Sequence, residues 1–217
     1  MQKWLCLITA AIVAIAVTPA QAIDPSIFVG TIDVQFQPMQ SAGVKEGCSL
    51  VYRAIQQDIA YQQGKLIAIS GSIVFISSNE GTPALGLKVA TINLLDDHAT
   101  PKRPYFAYIQ TPHGTTAGSK VFQADSPDMP GGKIFTFNLD EDAMKVMGDI
   151  HNGSQVTIGF NRTKGGMDVL VPLDLSVIES TVSDTGYNRR HSDETIDQFS
   201  SCVLEISQRA KKRLEAK

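Results

Sequence analysis

From residue 26 to residue 139, apolar and polar positions alternate along the chain, and this period of two predicts strands. In IFVGTIDVQF, Phe28, Ile32, Val34 and Phe36 share one parity and predict one buried face. CSLVYRAI groups Leu50, Tyr52 and Ala54. GKLIAISGSIVFIS places Ile67, Ile69, Ile73 and Phe75 on one side, with Gly71 as a bulge or bend between them. ALGLKVATINLL alternates at Leu85, Leu87 and Val89, then changes phase to Ile92 and Leu94, which requires a bulge or turn near Ala90. RPYFAYIQT and GKIFTFNL add two more runs. Turn formers separate the runs, among them Gly43, Gly64, Gly81, Pro112 and Pro130-Gly131-Gly132.

The pattern changes after residue 139. Asp140 is placed to cap a short helix, Glu141 and Asp142 suit its first turn, and Ala143, Met144, Val146, Met147 and Ile150 form its apolar side. Asn152-Gly153 ends it. QVTIGF and MDVLVPLDL alternate again, joined by NRTKGG as a hairpin turn. The polar stretch TVSDTGYNRRH (181–191) reads as a loop. A second helix begins at Ser192, with Ile196, Phe199, Val203, Ile206 and Ala210 at steps of three and four. Its last turns carry Arg209, Lys211, Lys212, Arg213 and Lys217, which complement the negative end of the helix dipole. The expected fold is mainly β: an antiparallel β-sandwich or barrel with one short helix and a C-terminal helix.

The opening MQKWLCLITAAIVAIAVTPAQA reads as a secretory signal peptide over residues 1–22, with Lys3 ahead of an apolar run and Ala20-Gln21-Ala22 as the cleavage site. The apolar run is about 14 residues, short of the roughly 20 that span a bilayer, so no membrane span is expected after cleavage. One β-rich domain then occupies 23–217, without repeats or a dividing linker. The chain carries 19 Lys and Arg against 22 Asp and Glu, a net charge of −3, and no basic excess that would indicate nucleic acid. Of its three cysteines, Cys6 lies in the apolar leader. An exported chain meets an oxidising compartment, so Cys48 and Cys202 are expected to form a disulfide, the other reading being two separate buried thiols. Cys202 sits beside Phe199 and Ile206, so the bond would pin the last helix to the strand beginning at Cys48.

Candidate chemistry is sparse. Asp96-Asp97-His98 is the densest group of metal-ligand or acid–base residue types, in a turn-like setting before Thr100-Pro101. His98, His113, His151 and His191 show no zinc-ligand spacing. Ser70, Ser72 and Ser78 lack the G-x-S-x-G elbow of a hydrolase, and GTTAGSK (114–120) lacks the phosphate-loop spacing. Lys102, Arg103, Tyr105, Phe106 and Tyr108 concentrate basic and aromatic residues, and the bland reading divides these aromatics between core and sheet face. Asn152 and Asn161 head N-glycosylation patterns.

The segment NLDEDAMKVMGDIHNGSQVTIGFNRTKGGMDVLVPLDL, a helix followed by two strands, resembles the closing half of small exported bacterial proteins of the invasion-associated locus B type. With the helix that follows these strands, the resemblance covers about a third of the chain, the C-terminal third only, and it implies export and no site residues. The expected function is that of a periplasmic or secreted, non-enzymatic accessory or binding protein without a cofactor, engaging a protein or an envelope component. Two other classes stay open: an envelope hydrolase built on Asp96, Asp97 and His98, and an inhibitor of a secreted enzyme presenting the loop 112–120.

Overall fold

The structure, a computed structural model, describes residues 24–41, 43–77, 83–94, 101–153 and 155–215. The expected signal peptide, and Ser78, Asp96, Asp97 and His98, lie outside the described residues. A 3-10 turn over Pro25–Phe28 leads into β1 (Gly30–Ser41), β2 (Val44–Asp58), the one-turn helix α1 (Ile59–Gln62), β3 (Lys65–Ser77) and β4 (Pro83–Asn93). β5 (Pro101–Lys102), β6 (Phe106–Gln110), β7 (Val121–Asp125) and β8 (Lys133–Asn138) follow. The chain continues through α2 (Glu141–His151), β9 (Val156–Asn161), β10 (Val169–Leu173), β11 (Val177–Ser183), β12 (Gly186–His191) and α3 (Glu194–Glu215).

The strand pairings are antiparallel. A seven-stranded sheet runs β1-β2-β3-β4-β8-β7, with β5 beside β4; β10-β9-β6 form a second sheet and β11-β12 a hairpin. Leu50, Tyr52, Ile69, Ile73, Leu87 and Phe135 of the large sheet share one core with Ile109, Ile158, Phe160 and Val171 of the smaller one. This is the expected sandwich with a short and a C-terminal helix. Among the described residues it does not close into a barrel, because β1 and β7 stand at opposite edges of the large sheet.

Both expected helices, α2 and α3, follow their sequence signals. Asp140 accepts from the Ala143 N–H at 2.9 Å, and Ala143, Val146, Met147 and Ile150 are buried. Ser192 accepts from the Glu194 N–H at 3.2 Å, and Ile196, Phe199, Ile206 and Ala210 of α3 are buried. Cys48 and Cys202 are disulfide-bonded with their Cα atoms 6.0 Å apart, which removes the reading of two separate thiols and fastens α3 to β2.

Four local expectations are corrected. Ile32 is the extra residue of a bulge between Thr31 and Asp33, so Thr31 takes the buried place opposite Ala54. β3 runs through Gly71 in unbroken register. The glycine is there because a Cβ would lie 2.6 Å from the Tyr52 hydroxyl oxygen. β4 does not change phase: Thr91 and Asn93 continue the parity of Leu85, Leu87 and Val89 as buried polar residues, while Ile92 points the other way. The Thr91 hydroxyl satisfies itself by donating to the Lys102 carbonyl at 2.8 Å. Finally, 181–191 belongs to the β11–β12 hairpin rather than to a loop.

Candidate functional site

A strand has two faces, and here both are apolar in the middle of the large sheet. The inward parity fills the core. The outward parity brings Val51, Val74 and Ile76 beside Ile134 of β8. Pairing aligns Gln37, Ser49, Val74, Gly86, Thr136 and Phe122 into one outward row across six strands. Ser49 and Gly86 have little or no side chain, and Ser72 stands beside them in the next row. The larger neighbours therefore wall a groove of about 380 Å³. Val51, Val74, Ile76 and Ile134 are only half exposed. α2, α3 and the smaller sheet belong to the core on the inward face. The outward side chains thus shield one another in a recess. Phe122 stands 72% exposed on the edge strand β7, and Met39 marks the β1 end.

Lys88 supplies the charge in this groove. Its ammonium donates to both carboxylate oxygens of Asp128, at 2.9 and 2.7 Å, and the Ser126 hydroxyl donates to the same carboxylate at 2.7 Å. These hydrogen bonds, the one from Lys88 first, hold the Asp128 pKa down at about 2. The Asp128 carboxylate is therefore charged at neutral pH.

Two other recesses differ in character. A groove of about 530 Å³ between α2 and α3 is lined by Met144, Met147, Phe199 and Leu204, with His151, Asp197 and three serines around them. Its apolar lips, Met144 and Leu204, stand out in solvent. A polar cleft of about 320 Å³ lies where β1, β10 and β12 meet. There Arg189 already donates to the carbonyls of Thr31, at 2.8 Å, and Val29, at 3.0 Å.

Among the described residues, the sequence-predicted ones do not converge. His113 Nδ1 lies 2.7 Å from Asp149 Oδ1, and the His113 N–H donates to the other oxygen at 3.0 Å. The Thr111 hydroxyl first, then the His113 contacts, hold the Asp149 carboxyl below its ordinary value. The loop 112–120 is thereby tied to α2. Thr116, fully buried, accepts from the Ile109 N–H at 2.9 Å, which gives the GTTAGSK segment a turn-forming role. Of the basic–aromatic group, Phe106 packs on Phe135, Tyr108 donates to Asp168 at 2.9 Å, Arg103 faces Asp125 at 3.4 Å, and Tyr105 is exposed. Burial first, and that hydrogen bond second, push the Tyr108 hydroxyl up to about 12. Asn161 donates its amide to Asp168 at 3.0 Å and is buried, whereas Asn152 is exposed at the end of α2. Among the described residues no group of three or more His, Cys, Asp or Glu is arranged to hold a metal ion.

One grouping that sequence spacing did not reveal is Asp174, Ser176 and His191. Ser176 Oγ lies 2.6 Å from Asp174 Oδ1 and 2.9 Å from His191 Nδ1. Asp174 Oδ2 lies 3.6 Å from that same ring nitrogen. In a catalytic triad the acid orients the ring nitrogen opposite to the one that serves the serine. Here the serine is drawn to the acid itself, whose carboxylate also accepts from the Ser176 N–H at 3.0 Å. That is the geometry of a local turn.

The sequence contained one signal for the open face. SLVY and SIVFIS are apolar on consecutive positions, the mark of a strand that is apolar on both faces. Compared with protein-family models, curated proteins and solved structures, the chain matches none of them.

Proposed function

We propose that the protein is exported to the periplasm or secreted, and acts there as a non-enzymatic binding protein engaging a protein or an envelope component through the open face of its large sheet. The half-buried apolar side chains of Val51, Val74, Ile76 and Ile134 around Gly86, which no described element covers, carry this reading, since ordinary surfaces seldom leave such a patch unpartnered. The A-x-A site at Ala20–Ala22 and the Cys48–Cys202 bond fit export into an oxidising compartment. The resemblance of the C-terminal third to invasion-associated locus B proteins fits it as well.

Two measurements test the reading. N-terminal sequencing of the exported protein should begin at Ile23; intact Met1 in a membrane fraction would end the export half. Capture from an envelope extract should recover a bound component with the wild-type protein and lose it with Val74→Asp. Equal recovery by both would remove the sheet face as the binding surface.

A further inference from the structure

We propose that the groove on the open sheet face holds the chain of a monomeric fatty acid, with the ligand carboxylate at Lys88. This rests on reading that face as the binding surface. The groove runs from Gln37 to Thr136 across five strands, about 19 Å at the usual strand spacing. It is narrow along the strands, with Ile76 on one side of the row and Val51 and Ile134 on the other. Its outline suits an extended chain one methylene wide.

Three competing occupants fit less well. A peptide lying across the strands would find the sheet's main-chain groups already paired in the ladders. Its own amides would face Val74 and Ile134 without partners. A second copy of the chain would need about 800 Å² per partner, whereas about 19 by 14 Å of groove offers roughly 300 Å². A flat bilayer surface cannot enter a recess whose apolar side chains are half-buried by one another. An acyl chain has no polar groups to satisfy and gains by burying methylenes against those side chains.

Lys88 adds charge complementarity. Two of the three donors of its ammonium go to Asp128. Asp128 lies between β7 and β8 with 66% of its side chain exposed, so a ligand carboxylate can take the remaining donor or displace it.

The test is isothermal titration of the exported protein with sodium laurate below its micelle concentration, at neutral pH. One saturable site is expected. Gly86→Leu should weaken binding by at least about tenfold with an unchanged unfolding midpoint. A Cβ there meets nothing closer than Val74 Cβ at 3.5 Å, so the new side chain fills the groove without strain. If that variant fails to fold, Val74→Ser replaces it and should weaken binding too. Lys88→Gln should weaken laurate binding and Asp128→Asn strengthen it, while dodecanol should be indifferent to both. The proposal is overturned if laurate does not bind. It is equally overturned if binding survives Gly86→Leu but is lost in Leu204→Asp, which would move the site to the α2–α3 groove. Absence of laurate binding together with loss of partner capture in Val74→Asp would reject the fatty acid and keep the binding face. Failure of both would reject both.

Discussion

Tyr52 crosses β3 at Gly71 and donates to the Lys88 carbonyl on β4 at 3.1 Å, while burial pushes its own hydroxyl pKa upward. A methyl group at Gly71 would meet both the ring and that carbonyl. Gly71→Ala is therefore expected to lower stability by about 1–3 kcal/mol. Gly148→Ala, on α2 with nothing within 4 Å of its Cβ, should raise stability by about 0.5–1 kcal/mol. Urea denaturation of the two variants checks the contrast; equal midpoints would contradict it. A strand glycine signals either a bulge or a close approach, and sequence alone could not separate the two because the approaching ring comes from another strand. Asp149 makes a different residue-scale prediction. The fold binds its charged form through Thr111 and His113, and so holds its pKa below the unfolded value. That stabilisation is complete at neutral pH and fades as pH falls below about 4 toward the folded-state pKa. Asp149→Asn should flatten the pH dependence of stability in that window, measured as urea midpoints from neutral pH downward. An unchanged slope would show that Asp149 is not the group responsible.

At the scale of elements, the strands and helices with a buried apolar face were legible in the sequence, and elements without one, β7 and the β11–β12 hairpin, were not. β11 and β12 contain Ser180, Thr181, Asn188, Arg189 and Arg190, and most of their side chains face solvent. Polar contacts hold this hairpin against the edge of β1. The Ser180 hydroxyl donates to the Ile32 carbonyl at 2.6 Å. Arg189 spans the Thr31 and Val29 carbonyls and stacks on Tyr187, with its guanidinium 5.3 Å from the ring centre. Such contacts leave no hydrophobic period to read. They also protect the first half of an edge strand, while Pro38 blunts the second half. Arg189→Ala should cost about 2 kcal/mol, because two charge-assisted hydrogen bonds are lost and two carbonyls are left to water. Amide exchange across 177–191 should speed up more than exchange in β2 or β3. Uniform acceleration throughout the molecule would mean that the hairpin is not separately fastened.

Across the whole molecule, the open groove was hidden because Ser49, Ser72 and Gly86 lie far apart in sequence and become neighbours only through pairing register. The tie between the sheets was hidden for the same reason. Asp58, fully buried at the end of β2, lies 2.9 Å from the Arg162 guanidinium in the β9–β10 turn. Removing one partner, as in Asp58→Ala, should cost about 3–5 kcal/mol by stranding a buried charge. The Cys48–Cys202 bond, which sequence did reveal, ties α3 to the large sheet, and its sequence separation of 154 makes it the longest covalent constraint on the unfolded chain. Loop-closure entropy sets an upper figure of about 4–5 kcal/mol for its contribution. α3 does not depend on it alone, because Ile196, Phe199 and Ile206 are buried and contribute about 1.5–3 kcal/mol each. Reduction, or Cys48→Ala with Cys202→Ala, should therefore lower the urea midpoint by up to that amount while leaving far-ultraviolet circular dichroism near native. Thiol titration of the oxidised protein should find neither Cys48 nor Cys202 free. If reduction unfolds α3 outright, the apolar stripe is too weak to hold it and the disulfide is what docks the helix. If reduction changes nothing, the unfolded chain is already compact enough that the constraint removes little entropy.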